Sequence, residues 1–170
     1  DDCAQFIREI RNHGMQDRNI VNQFGVVSRM DELQAAILLF RINKLSAVIE
    51  KRRQNAEFYI NALDSNHIYF PPETAQQFNS FHTFVIQCKQ RDQLKEFLEK
   101  KNIQTAIHYP IPIHLQPASK KLGYQFGDFR NAELQAKKIL TLPINQYLRE
   151  AEIKLVSDEI NYFFNSQVTF

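Results

Sequence analysis

Three prolines within eight residues set the strongest local limit on how this chain can fold. Pro110, Pro112 and Pro117 lie in the segment Tyr109–Pro117, and a proline biases the residue before it toward extended or polyproline II backbone. This segment is therefore predicted to be non-helical. It follows directly on Ile103–Tyr109, where alternating apolar residues predict a β-strand. We expect a strand that runs straight into a proline-stiffened connection.

The residues before this strand predict a strand–helix–strand unit. Phe81–Cys88 is rich in β-branched and aromatic residues, and residues 92–102 carry apolar side chains at helical spacing after Asp92, a suitable N-cap. Such a succession usually produces two parallel strands. Two further short strands are expected, at His67–Phe70 and Leu140–Leu142.

Helical periodicity covers most of the remaining chain. Ser28 and Asp31 fit a capping box at the start of one helix, and the basic run Lys51–Arg53 is expected to be the solvated face of another. Residues 15–27 show no periodicity and are expected to form a loop. The predicted helices are 2–13, 28–40, 45–63, 131–139 and 149–164.

Composition narrows the class of protein. The 170 residues, 44% of them hydrophobic, suit one globular α+β domain with a sizeable core. A net charge of +2 gives no reason to expect a nucleic-acid partner, and the longest apolar run, Ala35–Phe40, is too short to span a membrane. Cys3 and Cys88 show neither disulfide-scaffold nor metal-ligand spacing, so a cytoplasmic location is expected and Cys88 is interpreted as a buried apolar side chain.

His108 and His114 flank Pro110 and Pro112, and this segment is the densest candidate for chemistry. In polyproline II conformation the backbones of His108 and His114 would be about 19 Å apart, and no carboxylate or cysteine is near them in sequence. No metal site is therefore predicted. Contact with a substrate and a structural hydrogen bond at the strand end both remain open for each histidine.

Arg29 is unusual for its position. A cation in the first turn of a helix is on the unfavourable side of the helix dipole, which suggests an anionic partner that would also be attracted to the free amides there. The glycines of Gly123–Asp128 follow no strand and precede no phosphate-loop lysine, so this segment is interpreted as a turn.

Several motifs, taken together, resemble a known family. They are Arg11–Gly14, Ser28–Leu38, Thr105–Ala118, Leu122–Tyr124 and Leu142–Pro143. In this order and spacing they resemble the nucleotide-sugar aminotransferases of the DegT/DnrJ/EryC1/StrS family. The resemblance implies the small C-terminal α+β domain of a fold type I aminotransferase, with a small sheet packed against helices. Residues 1–64 would be a helical segment leading in from a large domain, and residues 65–170 the small domain.

The same resemblance implies an activity. Enzymes of this kind use pyridoxal 5'-phosphate (PLP) to move an amino group from glutamate or glutamine to a keto carbon of a nucleotide-linked deoxyhexose. The Schiff-base lysine would lie before Asp1, so this chain alone is expected to be inactive. A cytoplasmic homodimer with shared active sites is implied. A PLP-dependent sugar dehydratase of the same fold, and a noncatalytic dimerisation or nucleotide-sugar-binding domain, are the alternatives.

The resemblance also assigns residues. Arg29 matches an arginine that approaches the substrate or phosphate from the neighbouring subunit, and His108 and Tyr109, with His114 in the same motif, match the segment that lines the sugar-nucleotide cleft. Val27 stands where the family usually has an asparagine that contacts the cofactor phosphate. Because valine has no side-chain donor, cofactor binding at this position is in doubt.

Overall fold

The structure, a computed structural model, describes residues 1–166. Six α-helices, two strands and two 3₁₀ helices occur in this range, and the predicted α+β class is confirmed. The helices are α1 (Asp2–Ile10), α2 (Glu32–Ile42), α3 (Leu45–Ala62), α4 (Arg91–Lys100), α5 (Arg130–Lys138) and α6 (Glu150–Ser166). The strands are β1 (Phe84–Gln87) and β2 (Ile139–Leu142), and the 3₁₀ helices are Ile113–Leu115 and Pro117–Leu122.

The chain divides into two compact units, Asp1–Leu45 and Ser46–Phe170. The domain boundary predicted between residues 64 and 65 lies inside the second unit, and it stays a prediction about the complete protein. None of the described helices is long and apolar enough to cross a membrane.

The sheet differs from the predicted one. β1 and β2 are antiparallel, with Val85 opposite Thr141, and within residues 1–166 the predicted parallel partner, residues 103–109, contributes only an isolated bridge from Ala106 to Thr141. Alternation of side chains reports which faces are buried and not how many backbone groups find a partner. The strand prediction at 67–70 is also wrong, since only Tyr69 forms a bridge there, to Gln87.

One face of the sheet forms the core of the second unit. Phe84 and Ile86 of β1, with Leu140 and Leu142 of β2, are buried against helices. Tyr59 of α3 stacks on Phe84 with ring centroids 5.0 Å apart. Cys88 is buried in this cluster as predicted, and burial raises the pKa of its thiol to about 11. The helices contribute Ala56, Leu94, Leu98, Ile153, Val156, Ile160, Phe163 and Phe164.

Two predicted helix caps are wrong. Asp31 rather than Ser28 caps α2. Its side chain accepts from the Leu33 amide at 3.0 Å, and the Asp31 amide donates to Oε1 of Gln34. An acid and a glutamine at this spacing satisfy the same two backbone amides as the predicted Ser28 box, three residues later. Asp92 lies in the first turn of α4 and Gln90 is the N-cap.

The basic run on α3 is not a purely solvated face. Arg52 donates to the carbonyls of Phe81 and His82, at 3.1 and 2.9 Å. Arg53 forms a bidentate pair with Glu73, both bonds being 2.9 Å. The two guanidinium groups therefore fasten the loop between α3 and β1, because a planar fork can bind several oxygens at once.

The proline-rich segment is partly helical, so the prediction that Tyr109–Pro117 is non-helical is wrong. Ile113–Leu115 is a 3₁₀ helix, closed by a bond from the Leu115 amide to the Pro112 carbonyl at 2.9 Å. Proline restricts the residue before it, whereas a single 3₁₀ turn after Pro112 needs only its carbonyl. Gly123, with φ of 79°, ends the next 3₁₀ helix, as expected of the predicted turn.

Candidate functional site: a cavity beside the sheet

The second face of the sheet forms the floor of a cavity of about 580 Å³. Val85 of β1 and Ile139 of β2 line it, and these residues alternate with the buried core residues of their strands. α5 contributes Ala132, Gln135 and Ala136. The remaining wall is the proline-rich segment with Phe129: His108, Tyr109, Ile111, Pro112, Ile113, His114 and Gln116.

The structure brings three of the five predicted site residues together here. His108, Tyr109 and His114 all line the cavity. The 3₁₀ turn at Ile113–Leu115 shortens the path that a polyproline II helix would take. The peptide bond between His108 and Tyr109 is cis.

His108 is attached to the sheet by one ring nitrogen. Its Nδ1 lies 3.0 Å from Thr141 Oγ1, and Thr141 is itself paired through its backbone to Ala106, with N···O distances of 2.7 and 3.1 Å. Within residues 1–166, Nε2 has no hydrogen-bond partner. Tyr109 packs edge-on against the His108 ring, with centroids 5.6 Å apart, and is 73% exposed. Imidazole and phenol groups are therefore available to a molecule in the cavity.

His114 is held differently. Its Nε2 lies 3.0 Å from Oε1 of Glu133, and both side chains are 6% exposed. Glu133 Oε1 also accepts from the Gly127 amide at 2.7 Å. Burial alone would raise the pKa of Glu133, but hydrogen bonds from Gly127 and His114 outweigh it and hold the pKa below its usual range. The carboxylate thus stays ionised inside the wall.

The cavity surface carries little charge. None of its lining residues is Lys, Arg, Asp or Glu, and its polar groups are imidazole, phenol, amide and backbone. Such a surface suits a neutral, partly apolar ligand with hydroxyl groups. Among residues 1–166, no three His, Cys, Asp or Glu side chains are placed to hold a metal ion.

The other two predicted residues lie in the first unit. Val27 forms an antiparallel bridge with Asn12, and the Ser28 amide donates to the Arg11 carbonyl at 2.9 Å. The Arg11 Nε returns a bond to the Ser28 carbonyl at 2.8 Å. Two motifs separated in sequence, Arg11–Gly14 and the one beginning at Ser28, are therefore physically joined.

A glycine permits this approach. A Cβ at Gly25 would collide with the backbone of Gly14 and Ile10. The segment leading to Arg29 therefore lies against the end of α1, and only glycine fits at residue 25.

The chemistry at Val27 and Arg29 decides how a phosphate could be held. Val27 is 58% exposed and offers no side-chain donor. Arg29 lies two residues before the N-cap Asp31, so the prediction that it belongs to the first turn of the helix is wrong. It is exposed, and in the described chain its guanidinium pairs with no carboxylate. The start of α2 is occupied by Asp31 and Glu32, so its amides do not form an anion site. The donor set fits a phosphate at Arg29 and does not fit one at Val27 or at the helix start.

Thr141 and Glu133 were not predicted as site residues. Each reaches its histidine across a separation in sequence, 33 residues for Thr141 and 19 for Glu133. A threonine within a β-strand and a glutamate within a helix are ordinary at their own positions. No local signal distinguishes them.

Comparison with known proteins identifies the family. The model of the DegT/DnrJ/EryC1/StrS aminotransferase family matches residues 1–161. The chain belongs to this family, and the resemblance stated from its motifs is confirmed.

Individual relatives have different names. A pleiotropic regulatory protein of Geobacillus stearothermophilus is 35% identical over 167 residues, covering 96% of this chain and 45% of that protein. The dTDP-3-amino-3,6-dideoxy-alpha-D-galactopyranose transaminase of Aneurinibacillus thermoaerophilus is 33% identical, covering 95% of this chain and 44% of that protein. The crystal structure of S. venezuelae DesV with a ketimine intermediate superposes with a TM-score of 0.86 at 30% identity, covering 94% of this chain and 43% of DesV. The chain thus spans less than half the length of these relatives.

Proposed function

We propose that this chain is the C-terminal part of a PLP-dependent aminotransferase that moves an amino group from glutamate or glutamine to a keto carbon of a nucleotide-linked deoxyhexose. The observation that carries the proposal is the family match over residues 1–161. The similarity to a dTDP-aminosugar transaminase supports the substrate class. The complete protein would be a homodimer, and PLP, when bound, would supply the electron sink for the transfer.

The cavity would receive the sugar. Nε2 of His108 and the phenol of Tyr109 would bind hydroxyl or keto oxygens, since both groups can donate or accept a hydrogen bond. Ile111, Ile113 and Phe129 would exclude water and contact a deoxygenated ring carbon. His114, with its Nε2 held by Glu133, would form the wall.

Arg29 would bind an anion. Its exposed guanidinium can form two parallel bonds to a phosphate of the substrate or cofactor, an arrangement that a lysine cannot reproduce. Arg29 would reach this anion in the active site of the neighbouring subunit, as the family resemblance implies. With Val27 in place of an asparagine, Arg29 would be the main side-chain contact to phosphate from this segment.

Amino transfer can be followed directly in the complete protein. With glutamate or glutamine labelled with ¹⁵N at the α-amino group and a dTDP-linked keto-deoxyhexose, mass spectrometry should detect ¹⁵N in the nucleotide sugar, since transamination moves the α-amino nitrogen and not the side-chain amide. Loss of water from the sugar without gain of nitrogen would instead identify a dehydratase. A variant with Arg29→Ala should transfer nitrogen more slowly, and one with the exposed Arg18→Ala should match the parent.

A noncatalytic role is the second candidate. Val27 offers no side-chain donor to a phosphate. A relative with 35% sequence identity, comparable to that of the transaminase, is named a pleiotropic regulatory protein. This alternative predicts binding of the nucleotide sugar without turnover of any kind. Isothermal titration of the complete protein, run beside the nitrogen-transfer assay, separates the two candidates.

A further inference from the structure

The face of the sheet that carries the cavity also carries Thr141. Val85, opposite Thr141 in the register, and Ile139, two residues before it, both line the cavity. Side chains two residues apart on a strand share a face. Thr141 therefore lies on the cavity side of β2, and it is 8% exposed.

The Thr141 hydroxyl is placed against one nitrogen of His108. The Oγ1 to Nδ1 distance is 3.0 Å, and the backbone of Thr141 is fixed on both sides, by the Val85 register and by the two bonds to Ala106. A β-branched side chain in a strand has restricted rotation about χ1. The hydroxyl oxygen is thus a rigid reference point for the imidazole ring.

The Thr141 hydroxyl can either donate or accept a hydrogen bond at Nδ1 of His108, and its role there is coupled to the protonation of the other ring nitrogen, Nε2. When Thr141 donates to Nδ1, the neutral ring carries its proton on Nε2 and presents a donor to the cavity. When Thr141 accepts from Nδ1–H, Nε2 presents an acceptor. Either tautomer therefore keeps the same hydrogen bond and the same ring orientation.

We propose that Thr141 is a positioning residue that orients the His108 imidazole toward the cavity and lets Nε2 act as a donor or an acceptor toward a sugar oxygen. A keto oxygen needs a donor at Nε2, whereas the group that replaces it on the sugar brings hydrogen atoms of its own. This inference rests on the proposed function for the ligand. The geometry of the Thr141–His108 pair stands without it.

The matched variants are Thr141→Val, which keeps the shape and removes the hydroxyl, and Thr141→Ser, which keeps the hydroxyl. In the complete protein labelled with ¹⁵N-histidine, the His108 ring signals are assigned by their loss in His108→Gln. Thr141→Val should shift the Nδ1 resonance and change the tautomer ratio, and Thr141→Ser should leave both near the parent values. A threonine that only stabilised the sheet would change unfolding midpoints and leave these signals in place.

Kinetics provides the second readout. Loss of one neutral hydrogen bond corresponds to about a 3- to 10-fold effect. We expect KM for the nucleotide sugar to rise by about this factor in Thr141→Val, and to return toward the parent in Thr141→Ser. In a His108→Ala background, Thr141→Val should have no further effect.

The outcomes separate this inference from the proposed function. An unchanged His108 spectrum in Thr141→Val overturns the positioning role, whatever the kinetics show. Equal KM effects of Thr141→Val with and without His108 overturn it as well. If His108→Ala leaves KM unchanged while the Thr141→Val spectrum shifts, the positioning geometry holds and the assignment of His108 to substrate binding fails.

Discussion

Nε2 of His114 lies 3.0 Å from Oε1 of Glu133, and the same carboxylate oxygen accepts the Gly127 amide at 2.7 Å. One buried oxygen thus joins the 3₁₀ turn that carries His114, the turn that contains Gly127, and α5. Phe129 lies against the His114 ring, with centroids 4.8 Å apart. These contacts shape the wall of the cavity.

Glu133→Ala should destabilise this wall. The substitution leaves the His114 nitrogen and the Gly127 amide without their acceptor, and an unpaired buried polar group is costly. Glu133→Gln keeps an acceptor and should be milder. Urea unfolding should show the order parent, Glu133→Gln, Glu133→Ala in decreasing stability, with Glu96→Ala on the exposed face of α4 close to the parent. If Glu133→Ala matched Glu96→Ala, the wall would not depend on this carboxylate.

The pair of Arg53 and Glu73 predicts an acid-dependent stability. The hydrogen bond from Arg53, with a further one from the Asn79 amide, lowers the pKa of Glu73 to about 2. The resulting stabilisation is complete above the ordinary carboxyl pKa of about 4.3 and is lost as the pH falls toward 2. Urea midpoints measured from pH 5 to pH 2.5 should fall more steeply in the parent than in Glu73→Gln. Parallel curves would show that the ion pair adds no pH-dependent stability.

The helices were the most predictable part of this fold. α3 and α6 follow the predicted ranges to within two residues, and α6 buries Ile153, Ile160 and Phe164 at helical spacing. The predicted strand at Ile103–Tyr109 is wrong. Alternating apolar residues occur there, but only Ala106 pairs with β2. The roles of Arg52 and Arg53 depend on a loop about 20 to 30 residues away, which charge spacing cannot reveal.

Arg29 should matter for binding in the complete protein. If its guanidinium pairs with a phosphate, Arg29→Ala should lower affinity or kcat/KM about 10- to 150-fold, the range for hydrogen bonds to charged groups. Arg29→Lys should recover only part of this loss, because an ammonium lacks the planar fork. Steady-state kinetics with the nucleotide sugar and a cofactor-dialysis assay measure the two effects. Unchanged values in both would remove Arg29 from the site.

Val27 provides a gain-of-function test. Val27→Asn restores a side-chain donor at the position that the family resemblance assigns to the cofactor phosphate. We expect slower loss of cofactor on dialysis, and partial rescue when the substitution is combined with Arg29→Ala. Val27→Ala, which adds no donor, is the control. Equal retention by the Asn and Ala variants would exclude a phosphate at this position.

The apolar face of α2 should make the isolated chain associate. Leu33, Ile37 and Phe40 lie on one helical face and are 69%, 51% and 67% exposed. A contiguous apolar face of this kind favours self-association or binding of a hydrophobic dye. Ile37→Glu should reduce both, while Leu155→Glu on α6, also exposed, should not. A monodisperse monomer at low concentration that binds no dye would contradict the expectation.

The candidate site was only partly accessible to sequence reasoning. The proline-rich motif identified His108, Tyr109 and His114, but the extended conformation assigned to it separated the two histidines along a straight path. The cavity exists because a 3₁₀ turn at residues 113–115 and the two anchors, Thr141 and Glu133, fold that segment back beside the sheet. These contacts are tertiary, and no spacing rule within one segment encodes them.

The central claim, that the cavity lined by His108 binds the sugar, can be tested directly. In the complete protein, isothermal titration compares the dTDP-linked keto-deoxyhexose with dTDP alone, in the parent, in His108→Ala and in His82→Ala, an exposed histidine outside the cavity. We expect His108→Ala to weaken binding of the nucleotide sugar about 3- to 10-fold and to leave binding of dTDP unchanged, and we expect His82→Ala to affect neither. Equal affinities of His108→Ala and His82→Ala for the nucleotide sugar would contradict the claim.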